Sequence, residues 1–194
     1  MRRPHLRLRY RHKLTTDGTR QIVAIQMPGD PLDLQHLFLD VADHNVQTLT
    51  QAEVALIPRT ALQKIARERP AIGHAFTVNI LVEASIFREW VLNVGRRDAR
   101  TRIAHLLCEI AVRLDRQQLM HEYRCELPMT QEQLADSTGL TSVHVKRTLK
   151  ALEAEGLIER DRRSVRFPQW ERLKKAADFT ERYLHFGPQQ PTAG

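Results

Sequence analysis

Two cysteines among 194 residues cannot supply the disulfide framework of a small secreted fold, and they suit a reducing compartment. No unbroken apolar run approaches the ~18 residues of a membrane span. The opening MRRPHLRLRYRHK is basic but has no apolar stretch behind it, so it makes a poor secretory signal. A glycine-rich phosphate loop, a nucleophile elbow and an HExxH helix are all missing, and catalysis therefore has no foothold. What is present is a chain with 42% hydrophobic residues, long enough for one large domain or two small ones.

The formal net charge is +7, and its distribution matters more than its size. Residues 1–20 hold seven Lys or Arg against one Asp, and the rest of the chain is nearly balanced. Met1 to Lys13 has no clear period and reads as a loose basic arm. A case for nucleic acid must therefore rest on local placement. Between Leu140 and Phe167 seven cations face four acids, and Glu153, Glu155 and Glu159 lie at the C-terminal end of a cationic helix and beyond it.

That helix belongs to the most informative stretch, residues 127–167. Thr130 with Gln133 forms a capping box that should start a helix. Gly139 sits where the chain must reverse, and Thr141 can cap a second helix running to about Glu155. Val145, Thr148, Leu149 and Leu152 make its apolar stripe. At 100° per residue Ser142, Val143, Lys146, Arg147 and Lys150 fall on the opposite side. Gly156 is a C-cap. Residues 157–159 and 165–167 read as two short strands around a basic turn. The pattern is a helix-turn-helix with a wing, suited to the major groove and the neighbouring phosphates.

The run TQEQLADSTGLTSVHVKRTLKALEAEGLIE, residues 130–159, resembles the DNA-binding signature of the Crp/Fnr transcription regulators, the cyclic-AMP receptor protein superfamily. The resemblance covers about residues 21–179. It implies an α+β chain: a partial antiparallel β-roll of the cyclic-nucleotide-binding type, a long dimerisation helix and a C-terminal winged helix-turn-helix. The expected divisions are 14–69 for the incomplete roll, 70–97 for the helix and hinge, and 98–180 for the DNA-binding domain.

Upstream, residues 14–27 read as a hairpin turning at Asp17 and Gly18, with strand at 22–25. Residues 37–39, 46–49 and 54–57 are short apolar pieces of the kind found in a roll. By resemblance the match begins in mid-domain, and a sheet without its first strands leaves unpaired edges. A truncated or misassigned start is the favoured account; a covering by residues 1–10 and a partner is the other. The family's nucleotide cassette carries Gly-Glu and then Arg. Here Asp33 and Leu34 stand for the first pair and His44 for the Arg, a poor substitute on a phosphate, which argues against cyclic AMP. Too few cysteines lie near the sensor for an iron–sulfur cluster. No cofactor is expected, and the effector is left unnamed.

Residues 60–69 read as a short helix closed by Pro70, and 71–94 as a long one. Phe76, Ile80, Phe87, Trp90 and Val94 follow a near-heptad spacing, while Ile72, Val78, Val82 and Ile86 line another side. In the family reading the first set is the dimer seam. From Asp98 to Arg116 a further helix buries Ile103, Leu106, Leu107, Ile110 and Leu114, and residues 124–127 form a short strand. His105, Cys108, His121 and Cys125 have an unusual order for zinc, and Cys108 lies in an apolar stripe, so no metal site is expected.

The resemblance implies a cytoplasmic homodimer acting with RNA polymerase on double-stranded DNA, without a membrane. Matching positions assign Ser142, Val143 and Arg147 to base edges, Arg147 foremost because a guanidinium can bridge guanine O6 and N7. Thr130, Lys146, Lys150, Arg162 and Arg163 are expected on phosphates. A helix-surface His144 without a role is the expectation for that position. The alternatives are a dimerisation-only modulator of a full-length relative and an orphan small-molecule sensor.

Overall fold

The computed structural model describes residues 8–187. Strands β1 (Arg9–Leu14) and β2 (Arg20–Gln26) form the expected hairpin, and β3 (Asn45–Thr48) pairs with the other side of β1, giving the order β2-β1-β3. The first correction concerns the basic arm: residues 9–13 form the central strand of this sheet, and residues 1–7 lie outside the described ones. Leu8 and Tyr10 are wholly buried and anchor the strand. Arg11 is buried on the other face, donating to both Glu83 carboxylate oxygens at 3.1 and 3.2 Å and to the Leu32 carbonyl. Lys13 pairs with Asp43 at 3.1 Å. The alternating Arg residues looked like a solvated arm because their partners lie far away in sequence.

The other short apolar pieces diverge from expectation. Residues 34–37 form a 3₁₀ turn, and residues 54–57 form no strand; Val54, Leu56 and Ile57 are exposed. Only the piece around Val46 joins the sheet.

Helix α1 (Arg59–Glu68) leads into α2 (Pro70–Arg96), started by the fixed φ of Pro70 at its first turn. Length and composition alone would let α2 cross a bilayer. Counting unbroken apolar runs missed this, because Asn79 and Glu83 interrupt the run without spoiling the helix's mean hydropathy. Glu83 is spoken for by Arg11 of the sheet.

After a hinge, Asp98 accepts the Thr101 amide N–H at 2.8 Å and caps α3 (Ala99–Arg116). This helix is buried along most of its length, and its aliphatic residues join the sheet and the later helices in one core. Burial pushes the Cys108 thiol far up and the Cys125 thiol up to about 12, so both behave as small hydrophobes. Strand β4 (Arg124–Glu126) pairs with β6 (Ser164–Arg166), which pairs with β5 (Glu159–Asp161). Between them come α4 (Gln131–Thr138) and α5 (Ser142–Ala154), and α6 (Trp170–Ala176) follows. A C-terminal segment then turns back along α2: Tyr183 and Leu184 are buried, and the His185 ring lies 3.2 Å from Ser85 Oγ.

Candidate nucleic-acid interface

The capping box forms as read: the Gln133 amide donates to Thr130 Oγ1 at 3.1 Å, and Thr130 N–H donates to Gln133 Oε1 at 2.9 Å. Gly139 takes φ +63°, the left-handed conformation that ends α4. An added Cβ there would meet a Val94 methyl at 3.1 Å, so the turn between the helices seats directly on the end of α2. The Arg102 guanidinium donates to the Thr138 carbonyl at 3.1 Å and fixes the same end of α4. Nothing local in the sequence announces Arg102. Thr141 caps α5, accepting the His144 amide N–H at 3.3 Å, and the His144 ring sits 3.2 Å from the same hydroxyl, so this side chain belongs to the cap.

Helix α5 has the two faces its periodicity predicts. Val145, Thr148, Leu149 and Leu152 are buried. Ser142, Val143, Lys146, Arg147 and Lys150 are exposed, Val143 to 76%. The wing strands sit two residues later than expected on one side and one earlier on the other. Leu157 and Ile158 are buried anchors instead of strand, and Phe167 is core after the strand has ended. The turn between β5 and β6 places Arg162 at φ +49° and leaves Arg162 and Arg163 exposed.

Electrostatics then sort the cations into two sets. Arg160 grips Glu153 with two bonds of 2.9 Å, Arg166 pairs with Glu159 at 3.3 Å, and Arg100 pairs with Glu155. The Arg160 and Arg100 guanidinium groups hold Glu153 and Glu155 below the usual carboxylate range. Three of the four acids between Leu140 and Phe167 are thereby answered from within the fold, and Asp161, beside Arg162 in the hairpin, stays exposed. Among the described residues, Lys146, Arg147, Lys150, Arg162 and Arg163 make no side-chain hydrogen bond or ion pair. These side chains face outward without an ion pair, from a helix about 20 Å long and from the adjoining hairpin tip, and of them Lys150 is near enough to Glu153 to help lower its carboxyl.

The Crp-like helix-turn-helix domain model matches residues 101–176. The protein named probable transcriptional regulator flp, of Lacticaseibacillus casei, is 30% identical over 157 residues, covering 80% of this chain and 68% of that protein. The chain belongs to the Crp/Fnr family of transcriptional regulators. The transcriptional activator protein FnrL of Cereibacter sphaeroides is 31% identical over 145 residues, covering 73% of this Crp/Fnr chain and 58% of FnrL. The chain thus spans less than two thirds of the length of FnrL. The structure of FixK2 from Bradyrhizobium japonicum superposes with a TM-score of 0.69 at 24% identity, covering 87% of this chain and 82% of that one, a likeness of fold.

In this Crp/Fnr chain the expected seam residues divide. Phe87 is half exposed on α2, and Phe76, Ile80 and Val94 are partly covered. Trp90 is a correction: it is 6% exposed, and its indole N–H donates to Glu109 of α3 at 3.0 Å, so it cannot face a twin helix. The heptad spacing could not distinguish a partner helix from α3. Leu81 and Val91, which the heptad reading left out, are 61% and 58% exposed and lie with Ile80, Ala84 and Phe87 on one outward side. A cavity of about 920 Å³ beside the Arg11–Glu83 pair is lined by His44 and by Val78, Ile80, Ala84 and Phe87 of α2, so the last three border it as well as the outward side. His44 is turned to carboxylates, 3.2 Å from Asp33 and 3.0 Å from Asp43.

Proposed function

We propose that this regulator binds near-palindromic DNA as a homodimer, with α5 in the major groove. The observation that carries the reading is the set of five outward cations that form no ion pair, while Arg160 and Arg166 of the wing are paired with Glu153 and Glu159. Arg147 reads a base edge, with Ser142 and Val143 beside it, and Val143 packs on a thymine methyl. Thr130, Lys146, Lys150, Arg162 and Arg163 hold phosphates. Thr130 Oγ1 already accepts one bond, and its hydroxyl proton is free to donate. The divisions 14–69, 70–97 and 98–180 serve as roll fragment, dimer helix with hinge, and reading head.

Twin α2 helices supply the twofold axis through Phe76, Ile80, Phe87 and Val94, together with Leu81 and Val91. A long helix with an uncovered apolar side requires such a cover. The axis would set two α5 helices about 34 Å apart. RNA polymerase is the further partner, in the cytoplasm, with no membrane involved. His44, held between two carboxylates, is a poor cradle for a cyclic phosphate.

Selection of bound duplexes from a random pool by the purified protein, repeated with Arg147→Ala, tests the reading. A twofold-related motif with wild type, blurred at one position per half-site with the variant, is the expected outcome. The same motif at full strength from Arg147→Ala would sink the base assignment.

A further inference from the structure

Arg20 stands on β2 of the roll fragment, yet its strongest contacts are on α4 of the reading head. Its Nε donates to the Asp136 carboxylate at 2.6 Å across 116 residues of sequence, and its Nη2 lies 3.7 Å from Glu132, one helical turn earlier. Tyr10 of β1 braces the guanidinium from behind: its hydroxyl accepts from Nη1 at 3.3 Å, and its ring lies 5.8 Å from the guanidinium carbon. Arg20 and Asp136 side chains are 25% and 19% exposed, so water screens the pair only in part. Desolvation, with Arg20 next, holds the neighbouring His12 below its ordinary range, so it adds little positive charge beside Arg20 at neutral pH.

Besides the shared apolar core, two other polar contacts join the sheet region to the DNA-binding domain among the described residues: Arg113 to Asp30 at 3.0 Å, and the Gln117 side-chain amide to the Pro28 carbonyl at 2.9 Å. Both hold α3. Strand β2 packs against α4, and of these polar ties the Arg20 pair is the one that reaches the helix-turn-helix. The clasp coexists with a fully uncovered α5 face, so it restrains the head without hiding it.

We propose that Arg20 is a positioning residue for DNA recognition: its grip on Asp136 fixes the orientation in which the sensor fragment presents α5. The inference rests on the reading of α5 as the groove-entering helix. A head released from the clasp samples several orientations, and the apparent affinity falls with the fraction that matches the half-site spacing. Non-specific binding, which needs no fixed spacing, is spared.

The test compares Arg20→Glu, Asp136→Arg and the charge-swapped double variant, using full-length protein and the duplex selected by wild type. Each single variant is expected to lose five-fold or more in affinity for that duplex, and the swap to return within two-fold of wild type. Loss in both singles is the decisive sign. If the charges acted only on DNA at a distance, Arg20→Glu would weaken binding, Asp136→Arg would strengthen it, and the swap would simply add the two. That opposite-sign pattern, or wild-type affinity in all three, overturns the proposal. Arg20→Gln with Asp136→Asn repeats the comparison should a charge reversal fail to fold, with loss again required in both. Absence of a selected motif with wild type would instead count against the recognition reading, which the Arg147 experiment addresses separately.

Discussion

The Tyr183 hydroxyl, 74 residues downstream of Glu109, donates to its carboxylate at 2.9 Å and also lies 3.1 Å from His105 Nε2. Glu109 is fully buried, and burial pushes its pKa up despite donors from Trp90 and Arg113. Tyr183→Phe keeps the ring and removes the donor, leaving one buried acceptor short. Unfolding in urea should show a loss of about 1–2 kcal/mol. Tyr123→Phe, at an exposed ring, should stay within ~0.5 kcal/mol. Equal costs for the two would show that the buried network is not what holds the C-terminal segment.

His105 gives the fold an acid sensitivity. Burial first, then the Arg97 charge, lowers its pKa from 6.5 to about 4. The unfolded chain takes up this proton where the folded one refuses it. Stability is therefore complete above pH 6.5 and declines as pH falls towards 4, by about 3 kcal/mol at most. Glu109, with its pKa raised, works in the opposite direction, gaining as pH falls. The difference between wild type and His105→Gln isolates the histidine. It should slope between pH 6.5 and 4 and be flat above 7; a flat difference throughout would refute the assignment.

Phosphate contacts have a distinctive salt signature. Lys150→Gln and Arg163→Gln should each reduce the slope of log affinity against log salt by about 1, without altering the selected motif. Fluorescence anisotropy over a salt series measures this. An unchanged slope removes that residue from the phosphate set.

The outer side of α2 separates association from folding. Leu81→Glu and Val91→Glu place a carboxylate in the proposed twin-helix contact while leaving the monomer's core untouched. Sedimentation velocity should show wild type as a dimer and these variants as monomers at the same concentration. Trp90→Ala should instead destabilise the chain itself, by about 3–5 kcal/mol. A dimeric Leu81→Glu protein would remove this side of α2 from the interface.

The reading head was legible because its instructions are local. Capping boxes, a glycine at the reversal and a three-and-four spacing act within one or two turns of helix. Gly139 shows the limit: its positive φ was foreseeable, but its seat against Val94 was not. The wing strands shifted by one or two residues because Leu157, Ile158 and Phe167 are hydrophobic for the sake of the core, and the ladder forms around them.

The sheet and the seam were less legible. Arg9, Arg11 and Lys13 read as a solvated arm, and only Glu83 and Asp43, 72 and 30 residues away, turn two of them into ties of a folded strand. Trp90 obeyed a heptad rule, yet Glu109 drew its indole inward.

The amino-acid order settled where helices begin and end and which side of α5 is greasy, since those preferences arise from neighbours along the chain. Which charges remain free to meet DNA was decided by folding. Glu153 and Glu159 find their arginines within 7 residues, whereas Arg100, Arg11 and Arg20 find theirs 55, 72 and 116 residues away. A charge is compensated only by what lies within a few ångströms of it, and for these long-range pairs that distance exists only once the chain has closed on itself.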